Sequence, residues 1–231
     1  MSKCPFAEWK PITDAPITYT GGSFRIVHHT TEGSSAQGAF DAFRIHKSDP
    51  HFTVDSGKIY QHVDTDFSAR SLRNAAGGVQ TNRYRAIQIE LVGFAGSRKK
   101  PAGMQNLARL CRWLEAEHDI PAVWPAGPPK PPSAGHDPGG HRRDAHVWET
   151  EAGHYGHSHV PENTHWDPAY NAVESAFVLK ARFNEDGALA NRDDPDVAAL
   201  FNQPPVPFGA AAPAVMLDHA DVGEIEDDAG V

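Results

Sequence analysis

The chain has 231 residues, 39% of them hydrophobic, which is enough for one substantial core, so we expect one domain with extensions rather than two full domains. The formal net charge is −9, but nine acidic residues and no basic ones follow Arg192, which leaves 21 acidic and 21 basic residues before that point. Because no basic stripe is present, nucleic-acid binding is not expected.

The sequence contains no run of eighteen apolar residues, so a membrane span is not expected. The first thirty residues also lack a basic segment followed by an apolar run, so we expect any export to use a route other than a conventional secretory signal. Cys4 and Cys111 are the two cysteines, and they do not indicate a disulfide framework. Cys111 lies in an apolar helical pattern and is predicted to be a buried thiol.

Residues 24–29 (FRIVHH) form a short apolar run with β-branched residues, which predicts a buried strand with His28 and His29 at its end. A helix is predicted to begin after Ser34 or Ser35 and to run to about residue 47, with Phe40 and Phe43 on one face.

Residues 51–55 and 58–63 are separated by a Ser-Gly turn, which predicts a β-hairpin. Residues 86–92 (AIQIELV) alternate in polarity and are predicted to form a central strand. Glu90 is unexpected there, because a carboxylate among apolar residues is costly to bury without a partner.

Residues 101–118 carry apolar side chains at helical spacing and predict a helix with one buried face. Residues 125–155 are rich in Pro, Gly and His, which predicts a long surface loop. Asp167-Pro168 is then predicted to begin another helix, with the proline in its first position. The alternation of strands and helices predicts an α/β fold with a mixed central β-sheet flanked by helices.

The segment GHSHVPENTHWDP at residues 156–168 offers several metal-binding side chains, in addition to the earlier pair His28-His29. A catalytic zinc site uses three protein ligands and keeps a fourth position open for water. One ligand from the early strand and two from the late segment would meet that requirement. The alternative is a His-rich surface loop without a metal.

Four segments, in this order and spacing, resemble the zinc-dependent N-acetylmuramoyl-L-alanine amidases of the type 2 family, which are related to peptidoglycan recognition proteins. They are RIVHHTTEGSS, PHFTVDSGKIYQHV, AIQIELVGF and GHSHVPENTHWDP. The resemblance implies a single peptidoglycan-recognition-protein-like domain at residues 21–183, with an N-terminal extension at 1–20. Residues 184–231 would be an acidic, partly disordered C-terminal extension, rich in Pro and Ala from residue 202 onward.

Carried over position by position, the resemblance makes His28, His157 and Asp167 the zinc ligands. His29 directly follows the first of these, so in an extended strand it would point to the opposite face. Other members of the family use cysteine where this chain has Asp167.

The resemblance also implies two catalytic residues. Glu90 matches an acidic residue that would take a proton from the attacking water, and His165 would stabilise the oxyanion or protonate the departing amine. The alternative for Glu90 is a structural ion pair with Arg85 or another basic residue.

The resemblance therefore implies a Zn²⁺-dependent hydrolase of peptidoglycan or muropeptides, cutting the amide between the lactyl group of N-acetylmuramic acid and L-alanine. One alternative is a peptidoglycan-binding module of the same fold without hydrolysis, and another is an unrelated metallohydrolase or structural metal protein. The sequence fits an endolysin, a delivered toxin or a cytoplasmic recycling enzyme equally, and it does not indicate an oligomeric state.

Overall fold

A computed structural model describes residues 2–12 and 17–204 of the chain. Within these residues one mixed sheet has six strands. In chain order they are β1 (Glu8–Trp9), β2 (Arg25–Thr30), β3 (Phe52–Val54), β4 (Ile59–Gln61), β5 (Ala86–Leu91) and β6 (Gly153–Gly156).

The strands lie in the order β1-β4-β3-β5-β2-β6. The β3–β4 hairpin is antiparallel, and every other neighbouring pair is parallel. Strand β2 therefore lies between β5 and β6, and its register sets His29 beside Glu90 and His28 beside Gly156. The predicted α/β fold with a mixed central sheet is confirmed.

The helices of the described residues are α1 (Ala36–His46), α2 (Pro101–His118), α3 (Ala145–Thr150), α4 (Ala172–Lys180) and α5 (Pro195–Asn202). Helix α1 begins where predicted, because the Ser35 side chain caps it by accepting a hydrogen bond from the Gly38 amide. Helix α2 has the predicted bounds, and both cysteines are free and buried.

The sheet has two differently covered faces. Helices α2, α4 and α5 pack on one face, where Ile26, Ile87 and Ile89 join the largest apolar cluster. Strand residues that point to the other face, such as Val27, belong to a second cluster that includes Trp148 of α3. Because side chains alternate along a strand, consecutive residues of β2 contribute to different environments.

Two sequence predictions were wrong in detail. The predicted loop at 125–155 contains α3 and most of β6, because GHYG is a buried strand without an apolar run. Pro168 does not begin a helix. Helix α4 begins at Ala172, because Asn171 and Glu174 cap each other's backbone amides, at 2.9 Å in both directions.

Both predicted extensions contain residues that pack on the domain. Strand β1 pairs with β4, and Val197 and Leu200 of α5 are buried in the main core. Residues 205–231, where most of the predicted disorder falls, lie outside the described residues. Among the described residues, none of the helices is both long and apolar enough to cross a bilayer.

Candidate metal centre

Donor atoms of His29, His157 and Asp167 converge at one end of β2. The two Nδ1 atoms of His29 and His157 are 3.0 Å apart. Asp167 Oδ1 lies 3.2 Å from His157 Nδ1, and Asp167 Oδ2 lies 3.7 Å from His29 Nδ1. One donor atom from each residue therefore falls within 4.8 Å of the others, as a shared metal ion requires.

Three different elements position these donors. His29 is the fifth residue of β2, and His157 begins a short 3₁₀ helix directly after β6. Asp167 is fixed from both sides, because its carboxylate accepts from the Thr30 amide at 3.0 Å and its carbonyl accepts from the Ser158 amide at 3.0 Å. The parallel pairing of β2 with β6 thus brings residues more than 120 positions apart into contact.

Gly156 permits the close approach of the two late segments. A Cβ atom at this position would lie only 2.9 Å from the Pro168 ring, closer than real side chains pack. The absence of a side chain lets the chain before His157 contact the residue after Asp167.

In His29 and His157 the ring nitrogen Nε2 points away from the cluster and donates a hydrogen bond to a side-chain amide oxygen. Gln88 Oε1 accepts from His29 Nε2 at 2.7 Å, and Asn163 Oδ1 accepts from His157 Nε2 at 3.1 Å. The Asn163 orientation is fixed, since its Nδ2 donates to the Arg73 and Pro161 carbonyls. An amide oxygen only accepts, so both rings carry their proton on Nε2 and turn the Nδ1 lone pairs toward each other.

Charge and burial favour the metal-binding protonation states. Burial lowers the pKa of His29 to about 3, with His157 adding to the shift and Asp167 opposing it. His29 is therefore neutral near pH 7, which is the form that binds a metal. Burial alone would raise the pKa of Asp167, but the neighbouring His157, His29 and His165 hold it below its ordinary value.

Glu90 lies beside this cluster on the same face of the sheet. Its Oε1 is 4.0 Å from His29 Nδ1, and the residue is 8% exposed. Burial raises the pKa of Glu90 well above its usual value, and the carboxylates of Asp167 and Glu32 add to the shift. The Arg85 alternative has no support, because Arg85 precedes the opposite end of β5 and its guanidinium lies over the Phe24 ring.

His165 lies at the partly exposed edge of the cluster. Its ring stacks on the His157 ring, with centroids 4.7 Å apart and planes 6° from parallel. Its carbonyl accepts from Arg143 at 2.8 Å, which fixes the backbone at this point. The structure therefore brings together four of the five residues that the sequence predicted for the site.

The fifth predicted residue, His28, does not lie with the other four, so its prediction as a zinc ligand is corrected. His28 points to the opposite face of β2, where it contacts His154 and Tyr170 in the interior. His29 takes its place beside His157 and Asp167. The physical reason is strand alternation together with register, because Glu90 pairs with His29 and side chains paired across a parallel ladder share a face.

The sequence contained only part of the signal for this choice. In β5 the apolar residues Ile87 and Ile89 alternate with Gln88 and Glu90, so the polar pair must face away from the main core. A histidine on the Glu90 face must pair with one of these polar residues, but the register that selects His29 over His28 is visible only in the assembled sheet. The supporting roles of Gln88 and Asn163 had no such signal.

The residues present fit zinc. Zinc binds imidazole nitrogen and carboxylate oxygen, and two histidines with one carboxylate are a known catalytic ligand set. Two facing Nδ1 lone pairs at 3.0 Å repel each other unless a cation lies between them, and the second hydrogen bond of each ring has the form found behind metal-bound histidines.

Several solved structures are similar to this chain. The Staphylococcus aureus hydrolase AmiA, in complex with its ligand, is 20% identical, with a TM-score of 0.48 over 72% of this chain and 74% of that one. The N-acetylmuramoyl-L-alanine amidase LysC from Clostridium intestinale is 22% identical, with a TM-score of 0.40 over 51% of this chain and 79% of that one. A mutant endolysin from Bacillus subtilis is 25% identical, with a TM-score of 0.39 over 53% and 80%.

No curated protein matches this chain. The family model described as N-acetylmuramoyl-L-alanine amidase matches residues 22–170, well over half of the chain. That match contains β2, β5 and β6 together with His29, Glu90, His157, His165 and Asp167. The chain belongs to the N-acetylmuramoyl-L-alanine amidase family.

Proposed function

We propose that this chain is a zinc-dependent peptidoglycan amidase that hydrolyses the bond between the lactyl group of N-acetylmuramic acid and the L-alanine of the stem peptide. The observation that carries the proposal is the convergence of His29, His157 and Asp167 with Glu90 at 4.0 Å from His29 Nδ1. Family membership supplies the substrate class.

His29 Nδ1, His157 Nδ1 and one Asp167 oxygen would hold the ion. When bound, zinc would make a water more acidic, with a pKa of about 7, and would polarise the substrate carbonyl. Gln88 and Asn163 keep the two rings in the tautomer that exposes Nδ1, so the chain itself fixes the direction of both donors.

Glu90 is the general base in this proposal. A carboxylate with a raised pKa accepts a proton from the attacking water more readily than an exposed one, and then returns it to the amine nitrogen as the C–N bond breaks. The products are the lactyl carboxylate and a free amino group on L-alanine. Neither a serine nor a cysteine nucleophile is required.

His165 is assigned to the transition state. Its ring stacks on His157 at the partly exposed edge, and from there it would face the carbonyl oxygen of an incoming substrate as that oxygen gains negative charge. Because the leaving amine receives its proton from Glu90 in this proposal, His165 acts on the carbonyl oxygen.

The test is mass spectrometry of purified peptidoglycan after digestion by the zinc-loaded chain, with a chelated sample and Glu90→Gln as controls. The proposal expects new lactyl carboxylates and new L-alanine amino termini, which disappear in both controls. Binding of peptidoglycan without new ends would instead identify a non-catalytic module. Cleavage at another bond would contradict the assigned reaction.

A further inference from the structure

A second group of metal-binding side chains lies on the other face of the same strand. It consists of His28 in β2, His154 in β6 and Cys111 in α2, all fully buried. One donor atom from each lies within 4.8 Å of the others. None of the three takes part in the proposed hydrolysis.

The two imidazoles face each other as they do in the first centre. His28 Nε2 and His154 Nδ1 are 3.0 Å apart. His154 Nε2 lies 2.9 Å from Glu115 Oε1, and a carboxylate only accepts, so this nitrogen carries the proton and Nδ1 presents its lone pair to the cluster. On the far side of His28, Nδ1 lies 3.5 Å from the Tyr170 hydroxyl.

Each histidine thus has a hydrogen-bond partner at its outer nitrogen and offers the lone pair of its inner nitrogen to a metal ion. A carboxylate behind a histidine is the arrangement that orients metal-bound imidazoles and makes them better donors. Glu115 fills that position for His154, as the amides of Gln88 and Asn163 do in the first centre. The buried thiol of Cys111 adds a donor that the first centre lacks.

The chemistry of this donor set selects the ion. Two imidazoles and a thiolate favour zinc over magnesium or calcium, which prefer oxygen. A divalent ion in a fully buried site needs compensating negative charge. The Cys111 thiolate supplies one negative charge beside the ion, and the Glu115 carboxylate, which also pairs with Arg112, lies behind His154.

We propose that His28, Cys111 and His154 form a second, structural zinc site inside the domain. Binding expels the thiol proton of Cys111 to solvent and forms the bond from zinc to the thiolate. The ion would tie together β2, β6 and α2. Because β2 and β6 also position His29 and His157, the buried ion stabilises the frame that holds the catalytic ligands.

Cobalt substitution tests the second site directly, because a thiolate ligand gives Co²⁺ a near-ultraviolet charge-transfer band and the first centre has no thiolate. We expect this band in the full chain loaded with Co²⁺, and in His157→Ala, where the first centre is disabled. It should be lost in Cys111→Ser and retained in Cys4→Ser, the matched control at the other free, buried cysteine. Absence of the band from the unmodified chain, or its persistence in Cys111→Ser, would overturn the proposal.

A second measurement covers the case in which Cys111→Ser does not fold, as circular dichroism would reveal. X-ray absorption of zinc-loaded His157→Ala should show a sulfur neighbour at about 2.3 Å, the length of a zinc–thiolate bond. A zinc ion with only nitrogen and oxygen neighbours, or no zinc retained, would refute the second site. Neither result depends on whether the chain hydrolyses peptidoglycan.

Discussion

Each face of β2 carries a histidine, and the two histidines have different neighbours. His29 lies with His157 and Asp167 beside the partly exposed His165, whereas His28 lies with His154 and Cys111 behind helices α2 and α4. The first group is buried next to a partly exposed residue, and the second is fully enclosed by the core. Adjacent histidines therefore lie in different surroundings because side chains alternate along the strand.

Replacing each of the two histidines by alanine should give the largest difference between the two faces. His29→Ala removes a proposed zinc ligand, so we expect activity to fall by more than the roughly 10- to 100-fold caused by altering a ligand's hydrogen-bond partner. His28→Ala opens a cavity in the core, so it should lower the melting temperature while activity per folded molecule is largely kept. Rates of muropeptide cleavage, normalised to the folded fraction from circular dichroism, check both. Equal loss in the two variants would refute the assignment of faces.

Glu90→Gln keeps the shape of the side chain but removes the proton acceptor. We expect activity to fall by roughly 10²-fold or more with zinc content unchanged, because general-base catalysis contributes about that much. Glu149→Gln, at an exposed position on α3, is the matched control and should behave like the parent. Near-normal turnover of the Glu90 variant would reassign this residue to structure.

His165→Ala removes the group proposed to stabilise the oxyanion. The expected loss is about 10²- to 10³-fold in kcat, as for other donors of this kind, with zinc retained. His165→Lys should keep part of the activity because it preserves a positive donor. His136→Ala, an exposed loop histidine, should have no effect. An alanine variant with parental kcat and pH profile would remove His165 from the mechanism.

Asn163→Ala tests the hydrogen bond behind His157 and leaves all three proposed zinc ligands in place. It removes the oxygen that orients His157, so zinc affinity should fall by about 10- to 100-fold and activity should recover at higher zinc concentration. A competition titration with a chromophoric chelator measures the change. An unchanged affinity would show that the hydrogen bond to Asn163 does not orient the ligand.

The smallest effect is expected at the acidic end of the chain. Truncation after Pro204 leaves α5 intact, so zinc binding and cleavage of soluble muropeptides should be unchanged. The contrast is Leu200→Ala within α5, which should lower the free energy of unfolding by about 2–5 kcal/mol because this side chain is buried in the main core. Loss of cleavage in the truncated chain would mean that residues beyond Pro204 contribute to the site.

Most of the fold could be predicted because the strong elements carry strong patterns. Strand β5 alternates, α2 has an apolar stripe, and Ser35 is a good helix cap, so each was correctly placed. Strand β6 was missed because GHYG has two glycines and no apolar run. Its burial comes from pairing with β2, a long-range contact that local sequence does not reveal.

The sequence predicted the residues that the structure brings together, except for the choice between two adjacent histidines. A motif places the pair at a strand end, but which member faces the metal depends on register with β5, which is a property of the assembled sheet. The partners Gln88 and Asn163 could not be predicted for a similar reason. Their roles depend on side-chain orientation across segments that are distant in sequence.

The most direct test of the central claim is a zinc-edge anomalous difference map from crystals of the chain grown with zinc. The account predicts a peak bonded to His29 Nδ1, His157 Nδ1 and an oxygen of Asp167, with Glu90 close by. A map with no peak among these three residues, in crystals of protein that cleaves peptidoglycan, would contradict it.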